Sequence, residues 1–177
     1  MAARVDKVVV SGVFSLDGQD FDVDNNVWLV GDDDDVLVVD APHDAAPIVE
    51  AIGGRRVTAI VLTHGHNDHI NAALDVHGFC NAAPIFLHPA DNMLWKQVYT
   101  ARGPDRRLSD GDVLTVAGTH IDVIHTPGHS PGGVCLHLPE EGVLFPDPWV
   151  RAPTGNTARR SLERALDDLR PGVTEVS

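Results

Sequence analysis

The amino-acid sequence predicts a single domain of mixed α/β class, and three observations carry that prediction. Short runs rich in Val, Ile and aromatic residues recur between turn signals of Gly, Pro and Asp. Several intervals between those runs show helical periodicity instead. The 177 residues, 43% of them hydrophobic, are enough for one substantial core, and no repeat, low-complexity tract or linker divides them.

The elements follow in order. "KVVVSGVF", "NVWLVG" and "DVLVVDA" read as the strands of an opening meander, with "GDDDD" at 31–35 as a polar connection. That acidic run lacks the glycine and distal glutamate of an EF-hand loop and reads as a solvated turn. "HDAAPIVEAIGG" places Ala46, Ile48, Val49 and Ile52 at helical spacing and stops at Gly53 and Gly54. "RVTAIVL" is apolar on both faces, as a buried parallel strand is. A helix is expected around 68–77, a strand at "APIFLH" and a helix around 90–100. Strands at "DVLTVAG", "HIDVIHT", "VCLHL" and "GVLF" complete a β-rich second half.

Composition narrows the partners. Thirteen basic against 26 acidic residues leave a formal charge of -13, which repels nucleic-acid backbones and anionic membrane surfaces. Cys80 and Cys135 are the two cysteines, too few for a disulfide framework, and read as reduced thiols. The N-terminal apolar stretch is broken by charge and glycine, so neither a secretory leader nor a membrane span is expected, and the location expected is cytoplasmic.

The densest chemistry lies in "THGHNDH" at 63–69, where His64, His66, Asp68 and His69 crowd behind the buried strand. Residues two apart in extended chain point the same way, so His64 and His66 can converge on one ion. Asp68 and His69, at the start of a helix, face a neighbouring point. Two adjacent metal positions suit this spacing, and imidazole with carboxylate favours zinc, iron or manganese over calcium or magnesium. The carboxyl end of a strand is also where ligands gather in α/β architectures. A second segment, "TPGHSPGG" at 126–133, holds His129 between prolines and glycines in a tight loop, a further candidate ligand. His43, His77, His88, His120, His125 and His137 lack comparable surroundings and read as surface or structural residues. Of these, His125 is the reserve candidate because it precedes His129 closely.

"THGHNDH" followed about sixty residues later by "TPGHSPGG" resembles the metallo-β-lactamase superfamily, most of all its hydroxyacylglutathione hydrolase (glyoxalase II) branch, over roughly residues 8–145. The resemblance implies an αββα sandwich with metals at one edge. It implies that His64, His66 and His129 hold a first metal, that Asp68 and His69 contribute to a second, and that Asp40, ending "VLVVD", orients ligands from beneath. Two metals about 3.5–4 Å apart can share a hydroxide and polarise a carbonyl, so the implied reaction is hydrolysis of a small-molecule thioester or related ester, with Asp68 orienting the nucleophile and taking up a proton.

After Phe145 the sequence leaves the family pattern. Asp147, between Pro146 and Pro148, is the candidate for the aspartate that bridges the metals in the family, one position early. No histidine follows His137 to serve the second metal, and residues 156–171 instead suggest an amphipathic helix with Leu162, Leu166 and Leu169 on one stripe. The expectation is one domain over 1–177 with an atypical tail from 146 and an incomplete second half of the sandwich, best matched by a truncated or frame-shifted reading of a normal gene. A single-iron enzyme resembling persulfide dioxygenases, and a catalytically degenerate domain that keeps the fold, are the alternatives.

Overall fold

The computed structural model describes residues 3–16, 18–145, 163 and 174–175. Two sheets are layered face to face. The first has six strands in chain order: β1 (Arg4–Leu16), β2 (Gln19–Gly31), β3 (Asp35–Val39), β4 (Arg56–Val61), β5 (Ile85–Leu87) and β6 (Arg106–Arg107). β1, β2 and β3 pair antiparallel, and β3 through β6 pair parallel. Each parallel step needs a crossover, supplied by α1 (Ala45–Ile52), by α2 (Asn67–Ile70) with α3 (Ala73–Phe79), and by α4 (Asn92–Val98). The second sheet runs β7 (Val113–Val116), β8 (Thr119–His125), β9 (Val134–Leu138), β10 (Val143–Phe145) and β11 (Thr174–Glu175), antiparallel except for the last pair.

The two-residue period of β3 and β4 explains the layering. Val36 and Val38, with Ile60 and Leu62, face the helices and join Ile48, Ile52, Val76 and Trp95 in one core. Leu37 and Val39, with Ala59 and Val61, face the second sheet and meet Val123, Leu136 and Phe145 in another. Strands buried on both faces have no polar alternation, which is why "RVTAIVL" and "DVLVV" read as continuous apolar runs.

The expected elements are present with three differences. The β1–β2 hairpin is longer than the apolar runs suggested, because its outer half pairs in full register while only its base packs on the core. β6 is two exposed arginines recruited by pairing with β5, too short to carry a pattern. The helix expected over 68–77 is broken. Ala41 donates its N–H to the His69 carbonyl and accepts from the Ala72 N–H, at 3.0 and 2.9 Å, so two groups that would continue the helix are held by the loop after β3. α1 stops where expected, with Gly53 closing the helix at φ 65°, and Asp44 caps the Ala46 N–H at its start. Asp147 and the helix expected over 156–171 lie outside the described residues, apart from Glu163, which is helical. No helix among the described residues is long and apolar enough to cross a membrane.

Candidate metal centre

Two loops build the centre. The first leaves β4 and runs Thr63–His66 into α2; the second, Thr126–Gly133, joins β8 to β9. The Val134 N–H donates to the Thr63 carbonyl at 2.8 Å, so the edges of the two sheets meet where the loops emerge. Between them sits Asp91, fully buried at the end of the 3-10 turn after β5. It accepts from the Gly65 N–H at 2.8 Å, the Ser130 hydroxyl at 2.7 Å and the Gly132 N–H at 2.6 Å. The glycines follow from this tie: a Cβ on Gly132 would lie 2.7 Å from the Asp91 carboxyl carbon, and one on Gly65 would lie 3.0 Å from Asp91 Cβ.

The loops bring His64, His66 and His129 together, each with one ring nitrogen within 4.8 Å of the others. Nδ1 of His66 lies 2.9 Å from Nε2 of His129. His64 is fully buried, and its Nε2 has no hydrogen-bond partner. Its other nitrogen is committed: Thr63 Oγ1 donates to Asp40 at 2.8 Å and, with its proton spent there, accepts from His64 Nδ1–H at 3.1 Å. This leaves a lone pair on Nε2 facing the other two rings. Burial is the main cause that drives the His64 imidazole well below its ordinary pKa and lowers that of His66. Burial, then the neighbouring His66 and His69, pushes His129 down to about 4. Three imidazoles that resist protonation are suited to a cation.

Asp68 and His69 form the adjacent pair, with Asp68 Oδ2 3.7 Å from His69 Nε2. Asp40 lies beneath, buried at the end of β3 in a left-handed conformation with φ 64°. It accepts from the Thr63 N–H at 2.7 Å and from His69 Nδ1–H at 3.0 Å. One carboxylate therefore sets the ring orientation of His69 directly and of His64 through Thr63.

His125 does not join the cluster. Its ring stacks on His88 at 4.0 Å between centroids, and its Nε2 donates to the Pro131 carbonyl at 2.9 Å. Asp147 lies outside the described residues. Thr63, Asp91, Asn25 and His43 belong to the surroundings of the site without having been singled out in the sequence. Asp91 lies at the start of the helix expected around 90–100, and nothing local marks it as part of the site. Asn25 did leave a signal: it shares the inward face of β2 with Val27 and Leu29, a polar residue at an apolar position.

A family model described as the metallo-beta-lactamase superfamily matches residues 21–146. The chain belongs to the metallo-β-lactamase superfamily, a superfamily of metal-dependent hydrolases, and its likeness lies toward the hydroxyacylglutathione hydrolase branch. A hydroxyacylglutathione hydrolase of Rhizobium meliloti (strain 1021) is 38% identical over 112 residues, 60% of this chain and 40% of that one, so the chain spans less than half of that relative's length. An uncharacterized protein of Aquifex aeolicus (strain VF5) is 30% identical over 156 residues, covering 76% of this chain and 74% of that one. Among solved structures, TTHA1623 in a di-iron-bound form superposes with a TM-score of 0.65 at 26% identity, over 85% of each chain.

Proposed function

We propose that this chain is a hydrolase of the glyoxalase II type, cleaving the thioester of an acylated small thiol, or a related ester, at a metal held by His64, His66 and His129. One observation carries the reading: His64 Nε2 is fully buried and lacks a hydrogen-bond partner, on a ring that has a nitrogen within 4.8 Å of nitrogens of His66 and His129. Leaving such an atom unpaired costs about 1–3 kcal/mol, and an imidazole-binding cation such as zinc, iron or manganese removes that cost. A bound ion supplies Lewis acidity and a nucleophile at neutral pH.

The chain's own groups do the rest. Asp68, part-buried beside the triad, is placed to orient water against a carbonyl and to accept a proton at a carboxylate oxygen. Asp40 and Thr63 keep the proton of His64 on Nδ1, so that the lone pair is on Nε2. Asp91 holds the two loops at a fixed separation, which positions His129 opposite His66. A small-molecule substrate agrees with a net charge of -13, which disfavours nucleic acid and anionic lipid, and a cytoplasmic location remains part of this proposal.

The test is elemental analysis of protein purified without added metal, with thiol release from an S-acyl glutathione followed on the same preparation. Metal and thiol release are both expected in the unaltered chain. His64→Ala with His66→Ala should lose tight metal binding and activity while remaining folded. Undiminished metal content in the double variant would overturn the ligand assignment, and metal without thiol release would overturn the substrate class. Iron with dioxygen consumption in place of hydrolysis would select the single-iron alternative.

A further inference from the structure

Asp68 and His69 are two ligand-type groups, and among the described residues no third His, Cys, Asp or Glu joins them. A different side chain stands where that third group would be. Asn25 on β2 is 8% exposed, and one terminal atom of its amide lies 3.0 Å from His69 Nε2 and 3.3 Å from Asp68 Oδ2. Those two atoms are themselves 3.7 Å apart. Ligands bound to one ion at 2.0–2.1 Å in a tetrahedron are separated by about 3.3 Å. The three atoms thus mark a face of such a tetrahedron.

Both groups present lone pairs on this side. His69 Nδ1–H donates to Asp40 at 3.0 Å, which leaves the lone pair on Nε2, and Asp68 is a carboxylate. With its nitrogen on this side, Asn25 donates to both. A half-turn of the amide exchanges nitrogen for oxygen without changing its shape. The oxygen would then face the same point.

What decides the direction of that amide is its other end, which lies 3.0 Å from His43 Nε2. His43 is held there by several constraints at once. Its backbone is left-handed at φ 53°, its N–H donates to Asn71 Oδ1, and its ring fills the space over Gly12, where a Cβ would come within 2.1 Å of His43 Cγ. A strained conformation of this kind persists only when its surroundings over-determine it. An imidazole so placed can accept an amide N–H as readily as it can donate.

We propose that Asn25 is the third protein ligand of a second metal position, with Asp68 and His69: its amide oxygen turns onto the ion and its amide nitrogen donates to His43. This rests on the reading that His64, His66 and His129 bind the first ion.

The experiment is a calorimetric titration of the metal-stripped full chain with zinc alone, with bound metal counted after dialysis. The unaltered chain is expected to take two equivalents. Asn25→Ala should leave the first equivalent at unchanged affinity and weaken the second at least tenfold. Asn25→Asp, which keeps the size and supplies a charged oxygen, should retain or tighten the second, and His43→Ala should weaken it several-fold. Uptake of a single equivalent by the unaltered chain, an Asn25→Ala protein with both equivalents intact, or an Asn25→Asp protein that loses the second would each overturn the proposal. If Asn25→Ala does not fold, the Asn25→Asp result decides. Thiol release plays no part in this readout, so a wrong substrate class leaves it standing, whereas loss of the first equivalent in the unaltered chain removes both.

Discussion

The two halves of the candidate metal centre are assembled by different means. His66 and His129 are 63 residues apart, and they meet because Asp91, from a third segment, accepts a backbone N–H from one loop and a backbone N–H and a hydroxyl from the other. Asp68 and His69 are neighbours in sequence on a single short helix, backed by Asp40 from the adjacent parallel strand. The first half is a long-range construction whose histidines are spaced by a buried carboxylate bonded to other residues of their loops. The second is local, and its geometry follows from where β3 and β4 end. The same chemistry can therefore fail in two distinct ways, by loss of spacing or by loss of orientation.

The largest expected effect separates the halves most sharply. Asp91→Ala strands two backbone N–H groups and one hydroxyl in the interior, at a cost of about 4 kcal/mol or more of stability. It should lower the affinity of the three-histidine position about 10–100-fold while leaving the geometry beneath His69 in place. Thermal melts and metal titration check this, and equal weakening of both positions would erase the distinction. Asp40→Asn should act in the opposite sense, on orientation in both halves. It replaces an acceptor that Thr63 and His69 require and unsettles which nitrogen of His64 and His69 carries the proton. The expected loss is again about 10–100-fold in metal affinity, with less damage to stability than at Asp91 because the side chain keeps its size and one acceptor.

The smallest effect is in the pH dependence of the metal-free chain. His64, His66 and His129 are held neutral by burial, with His129 down to about 4, whereas an unfolded histidine titrates near 6.5. Below about 6.5 the unfolded chain therefore binds more protons than the folded one, so stability falls as pH drops. For His129 the fall ends near 4. Melts between pH 7.5 and 5 should show this decline, and His64→Ala should make it shallower. An unchanged slope would mean that His64 is not the buried neutral group described.

Much of this was legible without a structure, for reasons particular to each part. β3 and β4 were readable because both faces are buried and the chain has no choice but continuous apolar residues. His64, His66, Asp68 and His69 stood out in the sequence because one short stretch, running from the loop after β4 into α2, carries all four. His129 needed its proline and glycine surroundings, of which Gly132 proves to leave the room that Asp91 occupies. The break between α2 and α3 was not legible, because the competing hydrogen bonds come from Ala41, some thirty residues away. Asp91 and His43 were opaque for the same reason: a buried acceptor and a strained backbone acquire meaning only from what surrounds them.

By itself, then, the amino-acid order determined the class of fold, the ligand types and the strand that delivers them, since periodicity and residue chemistry are local properties. Only the tertiary structure decided which nitrogen of His64 lacks a hydrogen-bond partner, what spaces the two loops and which side chain faces Asp68 and His69. Those depend on contacts between segments far apart in the chain, where burial removes water as an alternative partner and leaves each polar group with the neighbour the fold provides.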